Sequence, residues 1–192
     1  GPSLSLSSHA WIYAILVPGL GGYMLYYLTP LLALTSPLRT AALWLGAGSA
    51  VLTALFALAQ RDHRATLVYV GATQAGLFLF VAAAGVKTAV WLGLLALTPV
   101  RLLLFLAADA AQHSDTASRR GVSALFFCLG GLALAALGLL TTWWVRDAGA
   151  PLDVRFVAKV AVALLAVWGI STGWRLSRPA PVTGQEPTAH WT

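Results

Sequence analysis

Residues 88–110 read TAVWLGLLALTPVRLLLFLAADA. From Ala89 to Val100 the run is free of charge, and after Arg101 it is apolar again as far as Asp109. About 20 apolar residues are what a helix needs to cross ~30 Å of hydrocarbon, so this stretch reads as a transmembrane helix with a guanidinium well inside it. Runs of the same kind flank it on both sides, at roughly 9–29, 39–60, 65–85, 121–145 and 154–175. The chain is therefore expected to be an all-α, polytopic membrane bundle of about six transmembrane helices over residues 1–176. A polar, Pro- and Thr-containing tail, expected to be disordered, follows at 177–192.

Composition leads to the same class. Of 192 residues, 59% are hydrophobic and 9% charged, with a mean hydropathy of +0.80. A soluble domain carries roughly 25% charged residues to keep its surface wetted, so most of this surface must face lipid or protein. The alternation expected of a β-barrel is absent. Net charge is +6, but the basic residues sit in short loops between apolar runs, where they set topology and meet headgroups. No basic stripe with interleaved aromatics is present, so no nucleic-acid partner is expected, while lipid is. The single cysteine, Cys128, excludes an internal disulfide and a multi-Cys metal site. No cofactor is expected. The opening Gly1-Pro2-Ser3 has no basic region before the first apolar run, so it does not read as a signal peptide; it reads as a processed or trimmed start.

Breakers place the turns. Thr29-Pro30 and Ser36-Pro37 are expected to end the first span, Gly85 to Thr88 forms a tight turn, and Arg146 to Pro151 is a polar interruption. Tyr26, Tyr27, Trp143, Trp144 and Trp174 cluster near span ends, as in an interfacial belt. With six spans both termini share a side with Arg61, Arg64, Arg119, Arg120, Arg175 and Arg178, against Arg39, Lys87, Arg146, Arg155 and Lys159 on the other. That bias places both termini in the cytoplasm of a multi-pass protein, expected in a prokaryotic inner membrane.

A charge at mid-bilayer costs at least about 2.5–3.5 kcal/mol on insertion scales, so Arg101 needs a reason. It either lines an ion pathway inside the bundle, or it is structural and pairs with Asp109 or a backbone carbonyl. Pro99, two residues earlier, removes a ladder hydrogen bond and frees a carbonyl nearby. Asp109 lies two turns on, along about the same helix face. His9 and Gln74 are further polar groups within spans, and Lys159 is placed to snorkel. Arg146-Asp147 either closes the fifth span or marks a break in a helix that continues. No phosphate loop, His-Glu metal pair or catalytic motif is present, so the chain is expected to carry no catalytic site of its own.

Several stretches, in order, resemble the C-terminal half of the antiporter-like proton-translocating membrane subunits. These comprise the large membrane-arm subunits of respiratory complex I, multisubunit cation/proton antiporters and the coupling subunit of inorganic-carbon uptake complexes. Gly1 to His9 resembles the family's Gly-Pro-Thr-Pro helix start with its histidine. Gln60 to Tyr69, with Asp62 and Arg64, resembles its Gln-x-Asp-Ile-Lys-Arg turn. Gln74-Ala75-Gly76 matches the Gln-x-Gly that follows, and Arg101 to Ala108 its Lys-Ala-Leu-Leu-Phe-Leu-Ala-Ala. Thr142 to Asp147 resembles Gly-Phe-Phe-Ser-Lys-Asp. The resemblance implies half of an inverted-repeat fold, neighbouring membrane subunits in a hetero-oligomeric complex, and an ion pathway over His9, Arg64, Gln74, Arg101, Asp109 and Arg146.

The departures bear on function. The two histidines that precede the family's lysine read here as Gly93 and Leu97, the lysine as Arg101 and the second cation as Arg146. Lysine can give up a proton when desolvated and arginine effectively cannot. Two roles follow: an ion-pathway subunit in which Arg101 and Arg146 act as fixed charges, or a degenerate structural subunit that keeps only the fold. A coupling role in proton-driven inorganic-carbon uptake is a further alternative.

Overall fold

A computed structural model of the chain describes residues 17–32, 35–60, 63–112 and 117–177. They form six helices and no strand: α1 (Val17–Leu32), α2 (Ser36–Ala59), α3 (His63–Ala83), α4 (Lys87–Gln112), α5 (Ala117–Asp147) and α6 (Leu152–Ser177). Five of them, α2 to α6, are long and apolar enough to cross a bilayer. The described part of α1 is 16 residues, ~24 Å of helix at about 1.5 Å per residue, and residues 9–16 of the expected first span lie outside the described residues. An apolar solvent forces this choice of secondary structure, because every backbone N–H and C=O must be satisfied within its own segment.

Two tight antiparallel pairs, α2–α3 and α5–α6, form the frame. They meet where α2 runs alongside α6, α4 packs between them against α3 and α5, and α1 lies over α3 and α4. The interior is apolar and includes Phe80, Phe127 and Trp168, but unlike that of a soluble protein it is matched by an apolar exterior. Small residues line the helix contacts: Ala42, Gly46, Ala47, Ala50, Ala54 and Ala57 form, with Leu43, the buried stripe of α2. Large ones such as Leu45, Leu95, Trp143 and Phe156 stand exposed on the outside. In lipid no hydrophobic force draws helices together, so close van der Waals approach must do it, and small residues permit that approach. At the α2–α3 crossing a Cβ on Gly46 would meet the Phe80 amide nitrogen at 2.6 Å, and one on Gly76 the Gly46 carbonyl oxygen at 2.8 Å. At the α5–α6 crossing a Cβ on Gly169 would meet the Gly131 Cα at 2.6 Å. Thr53 and Thr73 add an interhelical hydroxyl contact of 3.0 Å between α2 and α3.

The turns correct two expectations. Pro30 does not end α1 but lies inside it, two residues before its last. So near the C-terminus the missing N–H removes a single ladder bond, and the Thr29 hydroxyl donates to the Leu25 carbonyl at 2.8 Å. Pro37 does not break a helix either. It sits in the first turn of α2, where an N–H would have no helical partner. Gly85 (φ 87) and Gly149 (φ 72) take the left-handed conformation that lets α3 and α5 reverse within a few residues. The helix α5 runs unbroken to Asp147, so Arg146-Asp147 closes that helix rather than interrupting it.

One guanidinium ties these reversals together. Arg39, in the first turn of α2, donates through Nη2 to the Ala148 carbonyl at 2.9 Å and the Ala84 carbonyl at 3.4 Å. The starts of α2, α4 and α6 therefore share one rim of the bundle. At the opposite rim Arg175 donates to the Gln60 carbonyl at 3.4 Å.

Filling a backbone crossing should cost more than filling open space. Gly169→Ala is expected to destabilise by about 1–3 kcal/mol through overpacking, whereas Gly48→Ala, whose Cβ meets nothing within 4 Å, should be neutral or mildly stabilising. Equilibrium unfolding in mixed micelles reads the difference; equal effects would contradict the close crossing.

Candidate functional site

The chain places its buried cation where α3 and α4 meet. Arg101 lies mid-way along α4 and is 7% exposed. Its Nε donates to Oε1 of Gln74, and its Nη2 donates to the carbonyl of Gly71 at 3.3 Å. Gly71 and Gln74 are three residues apart, so one face of a single α3 turn meets the guanidinium. Gln74 is itself only 2% exposed. Because arginine has donors only, the amide must present its oxygen to it, and Nε2 is left without a protein partner.

Local sequence explains the placement. Pro99 cannot donate to the carbonyl of Leu95, and the Thr98 hydroxyl donates to the Leu94 carbonyl at 2.7 Å. Gly93 has no side chain, and the Phe78 ring takes the space: a Cβ there would meet its Cε1 at 2.6 Å. The site is thus a permanent cation held by neutral acceptors. Of the structural partners expected for Arg101 the carbonyl is found, together with an amide, while the side chain of Asp109 lies outside the described residues.

Two spaces adjoin this group. On one side is a cavity of ≈ 320 Å³ between α1, α3 and α4, lined by Arg101, Gly71 and apolar side chains. On the other, between α3, α4 and α5, is a void of ≈ 20 Å³ lined by Gln74, Gly93, Leu97, Gly138 and Thr141 among others. The two positions where the resemblance places histidines therefore line the smaller void, with no titratable group.

Of the six residues expected in an ion pathway, Gln74 and Arg101 come together. Arg64 begins α3 and Asp109 lies near the end of α4; their side chains lie outside the described residues, as does all of His9. Arg146 is exposed in the last turn of α5 and is not brought to Arg101. Sequence reading missed the Gly71 carbonyl, because a backbone acceptor leaves no residue-type signal. It also missed Thr141 and treated Arg39 as a loop charge only. The position of Arg39 two residues after the helix-starting Pro37 was the available hint that it lies within a helix.

These features define a multi-pass helical membrane protein with a guanidinium fixed in its interior. Residues 4–178 match the family described as NADH:quinone oxidoreductase/Mrp antiporter, transmembrane, and the chain belongs to that family. Comparison with curated proteins and with solved structures gave no significant match.

Removing one member of the polar pair should cost more than removing both. Gln74→Leu deprives a buried charge of a partner and is expected to destabilise by about 1.5–3 kcal/mol. Adding Arg101→Met to it should restore part of that stability, since an apolar pair has no unmet polar group. A double-mutant cycle by equilibrium unfolding in micelles checks this, and simple additivity would deny the coupling.

Proposed function

We propose that the chain is a membrane subunit of a proton-translocating assembly, complex I-like or cation/proton antiporter-like, and contributes part of an ion path around Arg101. Family membership supports the assembly type. The observation that carries the ion-path reading is the burial of Arg101 against Gln74 and Gly71, because a charge kept in a membrane interior with no carboxylate paired to it among the described residues is a functional residue by default.

Arginine is a poor relay, so its role in this reading is electrostatic. A fixed cation opposes a second positive charge nearby by about 2 kcal/mol at ~8 Å with an effective dielectric of ~20. It therefore lowers the proton affinity of neighbouring groups and favours release of a proton that pauses beside it. Protons would be carried by water and by titratable groups such as His9 and Asp109, with Arg64 a further fixed charge toward the rim that bears Gln60 and Arg175. Other membrane subunits would supply the rest of the path. This orientation puts that rim and both termini in the cytoplasm, following the excess of Arg61, Arg64, Arg119, Arg120, Arg175 and Arg178 there.

A second reading, a structural subunit without conduction, is favoured by one observation. The ≈ 20 Å³ void between Gln74 and α5 is bordered by Gly93 and Leu97, which can carry no proton. Proton flux through proteoliposomes of the whole assembly separates the two. Under the ion-path reading Arg101→Gln lowers flux by about tenfold, the effect of ~1.4 kcal/mol on a barrier, and His9→Ala also lowers it. Unchanged flux in both variants, with the assembly intact, would leave the scaffold reading.

A further inference from the structure

From the cavity beside Arg101 we infer a binding site for an amphiphilic anion: a carboxylate head on the guanidinium and a short apolar chain between α1, α3 and α4. The site shares the buried Arg101 with the ion-path reading but does not require conduction. The first is charge. Arg101 is a permanent cation, nine-tenths buried, whose hydrogen bonds go to one amide oxygen and one carbonyl oxygen, both neutral. Among the described residues only neutral acceptors meet its hydrogen bonds and no carboxylate offsets its charge, and guanidinium offers a fork of donors that matches the two oxygens of a carboxylate.

The second is shape. The cavity that Arg101 lines has a volume of ≈ 320 Å³, room for about ten waters at ~30 Å³ each, yet beyond the guanidinium its walls are side chains such as Leu25, Leu67, Val70, Leu104 and Phe105. Bulk water gains little in such walls, and a small inorganic anion would leave most of the space unfilled. A carboxylate with a hydrocarbon chain matches both the single charge at one end and the apolar remainder.

The third is access. Val68, Ala72 and Ala75, spaced four and three apart on α3, border the cavity and are exposed on the outside of the bundle. A ligand can therefore enter from the side that faces lipid, where amphiphiles partition, without crossing the packed α2–α3 and α5–α6 pairs.

Radiolabelled octanoate, binding to the purified protein in non-ionic detergent with its accompanying subunits, tests the assignment. Saturable binding is expected, with octanol at least about tenfold weaker and Arg101→Gln weakening octanoate by about tenfold, the loss of one charge-assisted contact. A second variant acts on the space alone. A Cβ on Gly71 meets nothing within 4 Å, so Gly71→Leu fills the cavity while keeping Arg101 and the backbone carbonyl, and it should weaken octanoate by a similar factor without loss of folding. Equal affinity for octanoate and octanol, retention of octanoate by Gly71→Leu, or full displacement by millimolar chloride would each overturn the site. Binding is read without flux, so a failed site leaves the ion-path reading standing, and unchanged flux leaves the site standing.

Discussion

The structure turns on one contact, a guanidinium buried in the middle of an apolar bundle and held by the side chain and backbone of a single helical turn. Taking Arg101 out of water is unfavourable by several kcal/mol unless its donors are met. Gln74 and the Gly71 carbonyl meet two of them. That requirement fixes how α4 is rotated and how it is set along α3. With α4 so placed, Gly93 must face the Phe78 ring, and Arg101 must open onto the space under α1.

Around this polar point the bundle is assembled by close approach rather than by hydrophobic exclusion. The Gly46–Gly76 and Gly131–Gly169 crossings let two helix pairs touch backbone to backbone, and many large side chains, though not Phe80, Phe127 or Trp168, stand on the outer surface. The same logic makes α1 the loosest helix. It packs on α3 and α4 and barely touches α2, and it borders the larger of the two spaces beside the buried cation.

Much of the fold was legible because lipid enforces a simple rule, about 20 apolar residues per crossing. The runs at 39–60, 65–85, 88–110, 121–145 and 154–175 anticipate α2 to α6. Prolines misled where position matters more than identity. Pro30 falls in the last turn of a helix, where its missing N–H removes a single ladder bond, and Pro37 in the first turn of the next, where an N–H would have no helical partner. Of the candidate site, the pairing of Arg101 with Gln74 joins two polar residues that sequence marked separately, 27 positions apart. The carbonyl of Gly71 was invisible for the opposite reason, since every residue carries one. Arg146 matched the family's charge by its surroundings in sequence, but the end of a helix and the interior of a membrane can carry the same local sequence, and the unbroken course of α5 places it at the former.

Arg39 gives the rim opposite Arg175 a property that neither of its loops would have alone. Its Nη2 bridges the carbonyls of Ala84 and Ala148, which lie on two chain reversals far apart in sequence. The two reversals are therefore one mechanical unit: a rotation of α6 against α5 pulls on the α3–α4 corner through a single side chain. Motion at that face is transmitted across the bundle by a strut.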